Sequence, residues 1–255
     1  MSTLGRVALP AAAALVASFL GLPIVALVAR ALTGNASLDG SVIGALRLSL
    51  ITTAFSLVLI LALGTPLAWI LARRRFIGRR LLEVVVDLPI VLPPAVAGLA
   101  LLLLLGRSGP VGAIGLDIAF TTAAVVLAQT FVAAPFYVRA ARGAFATVHR
   151  DLEDAARIDG GSDWDVFRRV TLPLAAPILT GGAILAWARA LGEFGATIMF
   201  AGNVLGVTQT LPLAVYGEFQ SSLDASVAAA AVLVGAAFVV LFGIRMARSV
   251  SDVTA

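Results

Sequence analysis

The chain has 255 residues, a net charge of +4, 60% apolar residues and only 13% charged ones, with a mean hydropathy of +1.05. A soluble domain carries about 25% charged residues, so too little polar surface exists to cover a water-soluble globule, and the bulk of the chain faces lipid or other apolar segments. The absence of cysteine excludes a disulfide framework, thiolate metal sites and cysteine catalysis, and the single histidine, His149, excludes a histidine metal cluster.

A helix crosses the hydrocarbon core with about 20 apolar residues. Residues 7–32 form the first such run; it is longer than the apolar core of a signal peptide and lacks a small-residue cleavage site, so it reads as a retained span. The second runs from Val42 to Ala72 and the third from Val84 to Leu105. Pro89, Pro93 and Pro94 interrupt the third; the expectation is a structural kink whose freed carbonyls neighbouring helices satisfy, the alternative a bend that shapes a pathway. The fourth runs from Ile118 to Val138, the fifth from Leu174 to Phe200 and the sixth from Ser226 to Ile244. The runs are continuous and rich in Leu, Ala and Val, which suits helices and not alternating barrel strands. No internal repeat or second soluble domain stands out.

All 18 basic residues are arginine, and their placement matters more than their sum. Arg73, Arg74, Arg75, Arg79 and Arg80 follow the second run; Arg139, Arg142, Arg150, Arg157, Arg168 and Arg169 follow the fourth; Arg6, Arg245 and Arg248 flank the termini. Only Arg30, Arg47 and Arg107 lie near the opposite loops. Arginine accumulates on the cytoplasmic side, so both termini are expected in the cytosol, as an even number of spans requires. The basic excess is thus a topology signal and does not call for a nucleic-acid partner.

The longest cytosolic connection, 139–171, has a pattern of its own. Asp151 and Glu153 suit the positive end of a helix dipole, Ala155 and Ala156 favour helix, and Gly160 and Gly161 end it. Ser162 or Asp163 can cap a second short helix carrying Trp164, Val166 and Phe167. The expectation is two short helices across the cytosolic face, with Trp164 and Phe167 as apolar anchors for a partner; composition alone equally allows an amphipathic hairpin resting on headgroups.

The spacing from Asp154-Ala155-Ala156 through Gly160 to Val170, Leu172 and Pro173 resembles the EAA loop of ABC importer permeases, whose pattern is E-A-A, three residues, G, nine residues, I, one residue, L-P. Asp154 stands for the glutamate and Val170 for the isoleucine; both keep charge or apolar character. The resemblance implies an all-α membrane protein of six transmembrane helices with the type I importer fold, a single permease domain over 1–255 with a five-span core at about 42–248 and the coupling loop at 151–173. It implies that Asp154, Ala155, Ala156, Gly160, Leu172 and Pro173 dock an ATP-hydrolysing subunit. ATP and Mg would belong to that partner: this chain has no G-x-x-x-x-G-K-[ST] loop, no lysine to complete one, and no expected cofactor, metal site or catalytic residue. The implied partners are ATP-binding cassette ATPases, an extracytoplasmic oxyanion-binding protein and a second copy of the chain. The implied location is the prokaryotic inner membrane.

Within the fifth run, Arg189 and Glu193 are four apart and expected on one helix face, with Glu193 roughly 30 Å along from Pro173. Charges inside a span face the protein interior or a watery cavity. The pair is either an ion pair locking helices together or, with Thr197, part of a pathway or gate. The run from Ala188 to Thr197 and Phe200-Ala201-Gly202-Asn203 is similar to the oxyanion branch of these permeases, which imports molybdate, tungstate, sulfate and thiosulfate. Residues 206–216, 87–94 and 122–135 look most like its molybdate group. Thr208, Gln209 and Thr210 could donate to an oxyanion but read first as an ordinary outer loop; Gln129 and Thr130 read first as helix-packing groups. An ion-gradient carrier would favour midplane ionisable residues and half-helices, of which only Arg189 and Glu193 qualify. A membrane enzyme would need a catalytic constellation that the sequence lacks.

Overall fold

A computed structural model describes residues 3–34 and 40–253. The side chains of 3–8, 244, 245 and 247–253, which include Arg6, Arg245 and Arg248 of the charge pattern, lie outside the described ones. The described residues are helical with no strand, and five helices are long and apolar enough to cross a membrane, six if a bent pair counts as one span.

The chain divides into two compact units. The first joins the segment up to Leu46 with that from Leu211 on. It holds α1 (Thr3–Thr33), the start of α2 (Gly40–Arg73), α10 (Leu211–Phe219) and α11 (Leu223–Val253). α11 packs on α1 and α10, around a small core of Val42, Ala45, Leu211, Ala214 and Ala229. Arg30 and Asp224 form an exposed ion pair there at 2.9 Å.

The second unit, Arg47–Thr210, contains the rest of α2, then α3 (Arg79–Val91), α4 (Pro94–Leu105), α5 (Thr122–Thr147), α6 (Arg150–Ile158), α7 (Asp163–Val166), α8 (Leu172–Leu191) and α9 (Gly195–Phe200). α5 starts where the Thr121 hydroxyl accepts from the Ala124 amide. It packs along α8 through Ala133, Ala141 and Ala144 against Ala175, Ala186 and Ala190, small residues that let two spans approach closely. α2 joins them through Ser56, which donates to Gln129 Oε1 at 3.0 Å, and Thr65, 2.7 Å from the Tyr137 hydroxyl. Gln129 is thus helix glue, and Thr130 bonds back to Val126 O within its own helix.

The third predicted span is broken, not kinked: the chain bends by 118° between α3 and α4. The cause is the proline pair. A residue before proline is pushed out of the α region, and Leu92 (ψ 134°) and Pro93 (ψ 133°) are both extended in turn. Pro89, by contrast, stays inside α3 and is buried. At 1.5 Å per residue the legs are about 20 and 18 Å long, each shorter than the ~30 Å hydrocarbon core. Carboxylates pin α3 to α5: Asp87 takes a bidentate pair from Arg139 (2.8 and 3.1 Å), and Glu83 meets both Arg79 and Arg142 at 3.0 Å. Two of the arginines that mark the cytosolic side in the sequence, Arg139 and Arg142, therefore also hold a helix pair together.

Candidate functional site

The chain leaves α5 at Val148 and forms a helical hairpin. α6 is a short helix with Asp151 and Glu153 in its first turn and Arg157 in its last, charges that complement its dipole. It closes with Asp159 and Gly160 amides donating to the Ala155 and Arg157 carbonyls, and Gly161 to Ala156. Gly160 sits at φ +90°, a region that any side chain would strain. Ser162 then caps α7 by accepting from the Asp165 amide. Asp154, Ala155 and Gly160 are exposed on this hairpin and Ala156 is half-buried. Leu152, Ile158 and Trp164 add outward apolar surface; Ile158 is 86% exposed.

The second helix of the hairpin differs from expectation. α7 does not lie across the face; it continues through a π-helical turn, Phe167–Thr171, into α8, making one rod from Asp163 to Leu191. No residue between Val166 and Leu172 breaks a helix. Pro173 lacks an amide and crowds the carbonyl four residues back, and the wider π turn, closed by the Leu172 amide on Phe167 O, absorbs this. Leu172 and Pro173 consequently lie within the rod, just past the π turn, with Leu172 against the core, while Asp154, Ala155, Ala156 and Gly160 share the hairpin. Phe167 also turns inward. Its ring lies 6.3 Å from Trp69, 6.1 Å from Phe145 and 5.8 Å from Trp164, so Trp164 alone of the two aromatics faces outward.

What fixes the hairpin is a buried cluster that sequence reasoning missed. Glu153 Oε1 accepts from Arg73 Nη2 at 2.8 Å and from the Thr171 hydroxyl at 2.7 Å, and Arg73 also donates to Val148 O at 3.1 Å. The side chains of Arg73 and Glu153 are 11% and 9% exposed. One carboxylate thus joins the end of α2, the α5–α6 junction, α6 and the π turn. Its partners are 80 and 18 residues away, and Glu153 looks like one more acidic residue of a first turn. The only trace in the sequence is that it shares a helix face with Ala156, three residues on. On the open side, Arg157 bridges Asp154 (2.7 Å) and Asp163 (3.0 Å). The bond to Asp163, with a smaller share from Asp154, pushes the pKa of the Arg157 guanidinium further up.

At the far end of the rod the helix stops. Gly192 caps α8, Glu193 stands in the gap, and α9 begins at Gly195. Arg189 Nη1 lies 2.7 Å from Glu193 Oε2, an ion contact whose angle falls outside hydrogen-bond geometry, while Oε1 accepts from the Ala196 amide at 2.7 Å. Glu193 is 1% exposed. The four-residue spacing therefore brings the two charges together as expected, but across a break in one span: Glu193 ties α8 to the amino end of α9. Thr197 is buried in α9, its hydroxyl without a hydrogen-bond partner among the described residues. α9 presses on α4, where a Cβ on Gly98 would lie 2.6 Å from Ala196 O and one on Gly195 2.8 Å from Pro94 Cβ. In the following loop Thr208 is buried and accepts from the Val204 amide, so it closes a turn and does not present its hydroxyl outward; Gln209 is half-buried and Thr210 buried. Among the described residues no three His, Asp or Glu side chains converge as a metal-ligand set.

Residues 64–250 match the family described as binding-protein-dependent transport system inner membrane component. The chain is 48% identical over 204 residues to the molybdenum transport system permease protein ModB of Mycobacterium tuberculosis, covering 78% of this chain and 77% of the relative. It is 44% identical over 184 residues to the protein of the same name in Haemophilus influenzae, covering 70% and 80%. Among solved structures it is similar to a bacterial ABC transporter involved in the import of the acidic polysaccharide alginate, with a TM-score of 0.71 over 96% of this chain and 97% of that one; at 19% identity that likeness concerns the fold.

Proposed function

This chain belongs to the family of binding-protein-dependent transport system inner membrane components, and from that premise we propose that it is the permease of an ATP-driven molybdate importer. Multiple apolar helices make it a multi-pass membrane protein. The molybdate reading is supported by the names of the relatives at 44–48% identity and by the residues of the oxyanion-type run from Ala188 to Thr197. The chain sits in the inner membrane with both termini cytosolic, the side on which most of its arginines lie.

The observation that carries the driving mechanism is the α6–α7 hairpin: an outward surface of Leu152, Ala155, Ile158 and Trp164, held by the buried Glu153 cluster and continuous with a span. This hairpin docks the ATPase, with Asp154, Ala155, Ala156 and Gly160 on the docking face and Leu172 and Pro173 where the rod enters the membrane. ATP and Mg are bound by that partner. An extracytoplasmic binding protein delivers the anion to the opposite face, and two copies of the chain enclose one pathway. Closure of the ATPases moves the hairpins, the rods move with them, and the Arg189–Glu193 break, with Thr197 beside it, gates the pathway.

Uptake in a strain lacking the chain tests both parts. Wild-type complementation should restore uptake of molybdate ahead of sulfate and tungstate at equal concentration. A preference for sulfate would sink the cargo assignment. Gradient-driven uptake by the chain alone in proteoliposomes would sink the ATP-driven one.

A further inference from the structure

Between the end of α2 and the hairpin lies a cleft of about 780 Å³. Its inner part is apolar and aromatic, walled by Thr65, Pro66, Trp69 and Phe167. Its mouth carries Arg73, Arg74, Arg150 and Arg157 against three carboxylates, Glu153, Asp154 and Asp163. Arg73 is taken by Glu153, and Arg157 by the two aspartates. Four arginines against three carboxylates leave a net charge of +1, carried by Arg74 and Arg150, neither of which has a carboxylate partner among the described residues; Arg74 lies instead 5.9 Å over the Trp69 ring. Thr65 is eight residues before Arg73, hence about 12 Å deeper along α2. With Arg73 at the level of the headgroups, the inner part reaches acyl-chain depth.

On that placement of Arg73 the cleft has its apolar inside at hydrocarbon depth and its cationic mouth at the membrane surface. We propose that it binds an anionic phospholipid, its phosphate between Arg74 and Arg150 and one acyl chain along Thr65, Pro66 and Trp69. Basic recesses between spans are where anionic headgroups are favoured. A soluble anion would leave the apolar interior unfilled, and a zwitterionic lipid would gain little from the uncompensated charge. The lipid would touch α2 on one side and Phe167 of the rod on the other, so it would stiffen the start of the rod against the span. The site rests on the membrane placement of α2 and not on the identity of the cargo.

The full chain in a neutral detergent is titrated with dihexanoyl phosphatidylglycerol, dihexanoyl phosphatidylcholine and inorganic phosphate, reading tryptophan fluorescence. Trp69 and Trp164 line the cleft and Trp187 does not. Phosphatidylglycerol should give a saturable change at least tenfold tighter than phosphatidylcholine, and phosphate should not displace it. R74Q and R150Q should each weaken it about fivefold. Native mass spectrometry of the same samples should lose the bound lipid in the double variant. Equal response to the two lipids, or unchanged affinity in both variants, overturns the proposal. Displacement by phosphate at matching concentration overturns the lipid as occupant and leaves a simple anion site. Because the lipid comparison is made on the wild-type chain, it decides even where a variant does not fold.

Discussion

Replacing Glu153 by alanine should loosen the hairpin while leaving the spans folded. The carboxylate takes two hydrogen bonds, from Arg73 at 2.8 Å and Thr171 at 2.7 Å. Without it, Arg73 keeps only the Val148 carbonyl for a charge that is 11% exposed. Removing one partner of a buried pair costs about 3–5 kcal/mol; the residual exposure and the retained carbonyl place this site near ~3 kcal/mol. If opening of the hairpin is what that energy resists, its population rises about 150-fold. Hydrogen–deuterium exchange of the chain in nanodiscs reads this directly. Peptides covering 150–158 should exchange faster by that factor, and peptides from the middle of α5 should not change. Thr171→Val removes one hydrogen bond, about 1 kcal/mol, and should give only about fivefold. Exchange of 150–158 in E153A within threefold of wild type would refute the idea that this cluster anchors the hairpin.

Gly160→Val places a β-branched residue at φ +90°; uptake should fall at least tenfold while the size-exclusion profile is kept, and unchanged uptake would count against the hairpin as docking element. Gly98→Ala puts a Cβ 2.6 Å from a backbone oxygen of α9 and should cost about 1–3 kcal/mol by overpacking. Gly181→Ala, which meets open space, should be neutral or slightly stabilising, and thermal unfolding separates the two. Arg189→Met leaves the Glu193 carboxylate buried with one backbone donor and should cost about 3 kcal/mol, which the double variant R189M/E193Q should largely restore. Uptake should return with stability in the double variant if the pair is a lock; stability without uptake would move the charge onto the pathway.

The spans were legible because a continuous apolar run of membrane length has few alternatives, and the start of the hairpin because acidic residues, alanines and glycines follow local rules. The break at Pro93 and Pro94 was visible as an interruption, but its size depends on two successive residues being forced extended, which a rule for single prolines understates. The junction after Val166 was misread because the Leu172-Pro173 pair looks like a boundary, whereas a π turn can carry a helix past it. Glu153 could not be found: its role is set by Arg73 and Thr171, on segments whose approach only the folded chain reveals. Arg189 and Glu193 were paired correctly on spacing, although the helix that spacing assumed ends between them.

The unbroken passage from Asp163 to Leu191 has a mechanical consequence. Twenty-nine residues of helix make a strut about 43 Å long, with the hairpin at one end and the glycine break at the other. Tilting such a strut by roughly 10° about its middle swings each tip nearly 4 Å, in opposite senses. A displacement of one hydrogen-bond length or more at the surface would therefore reach Gly192, where α8 ends and the chain turns into α9.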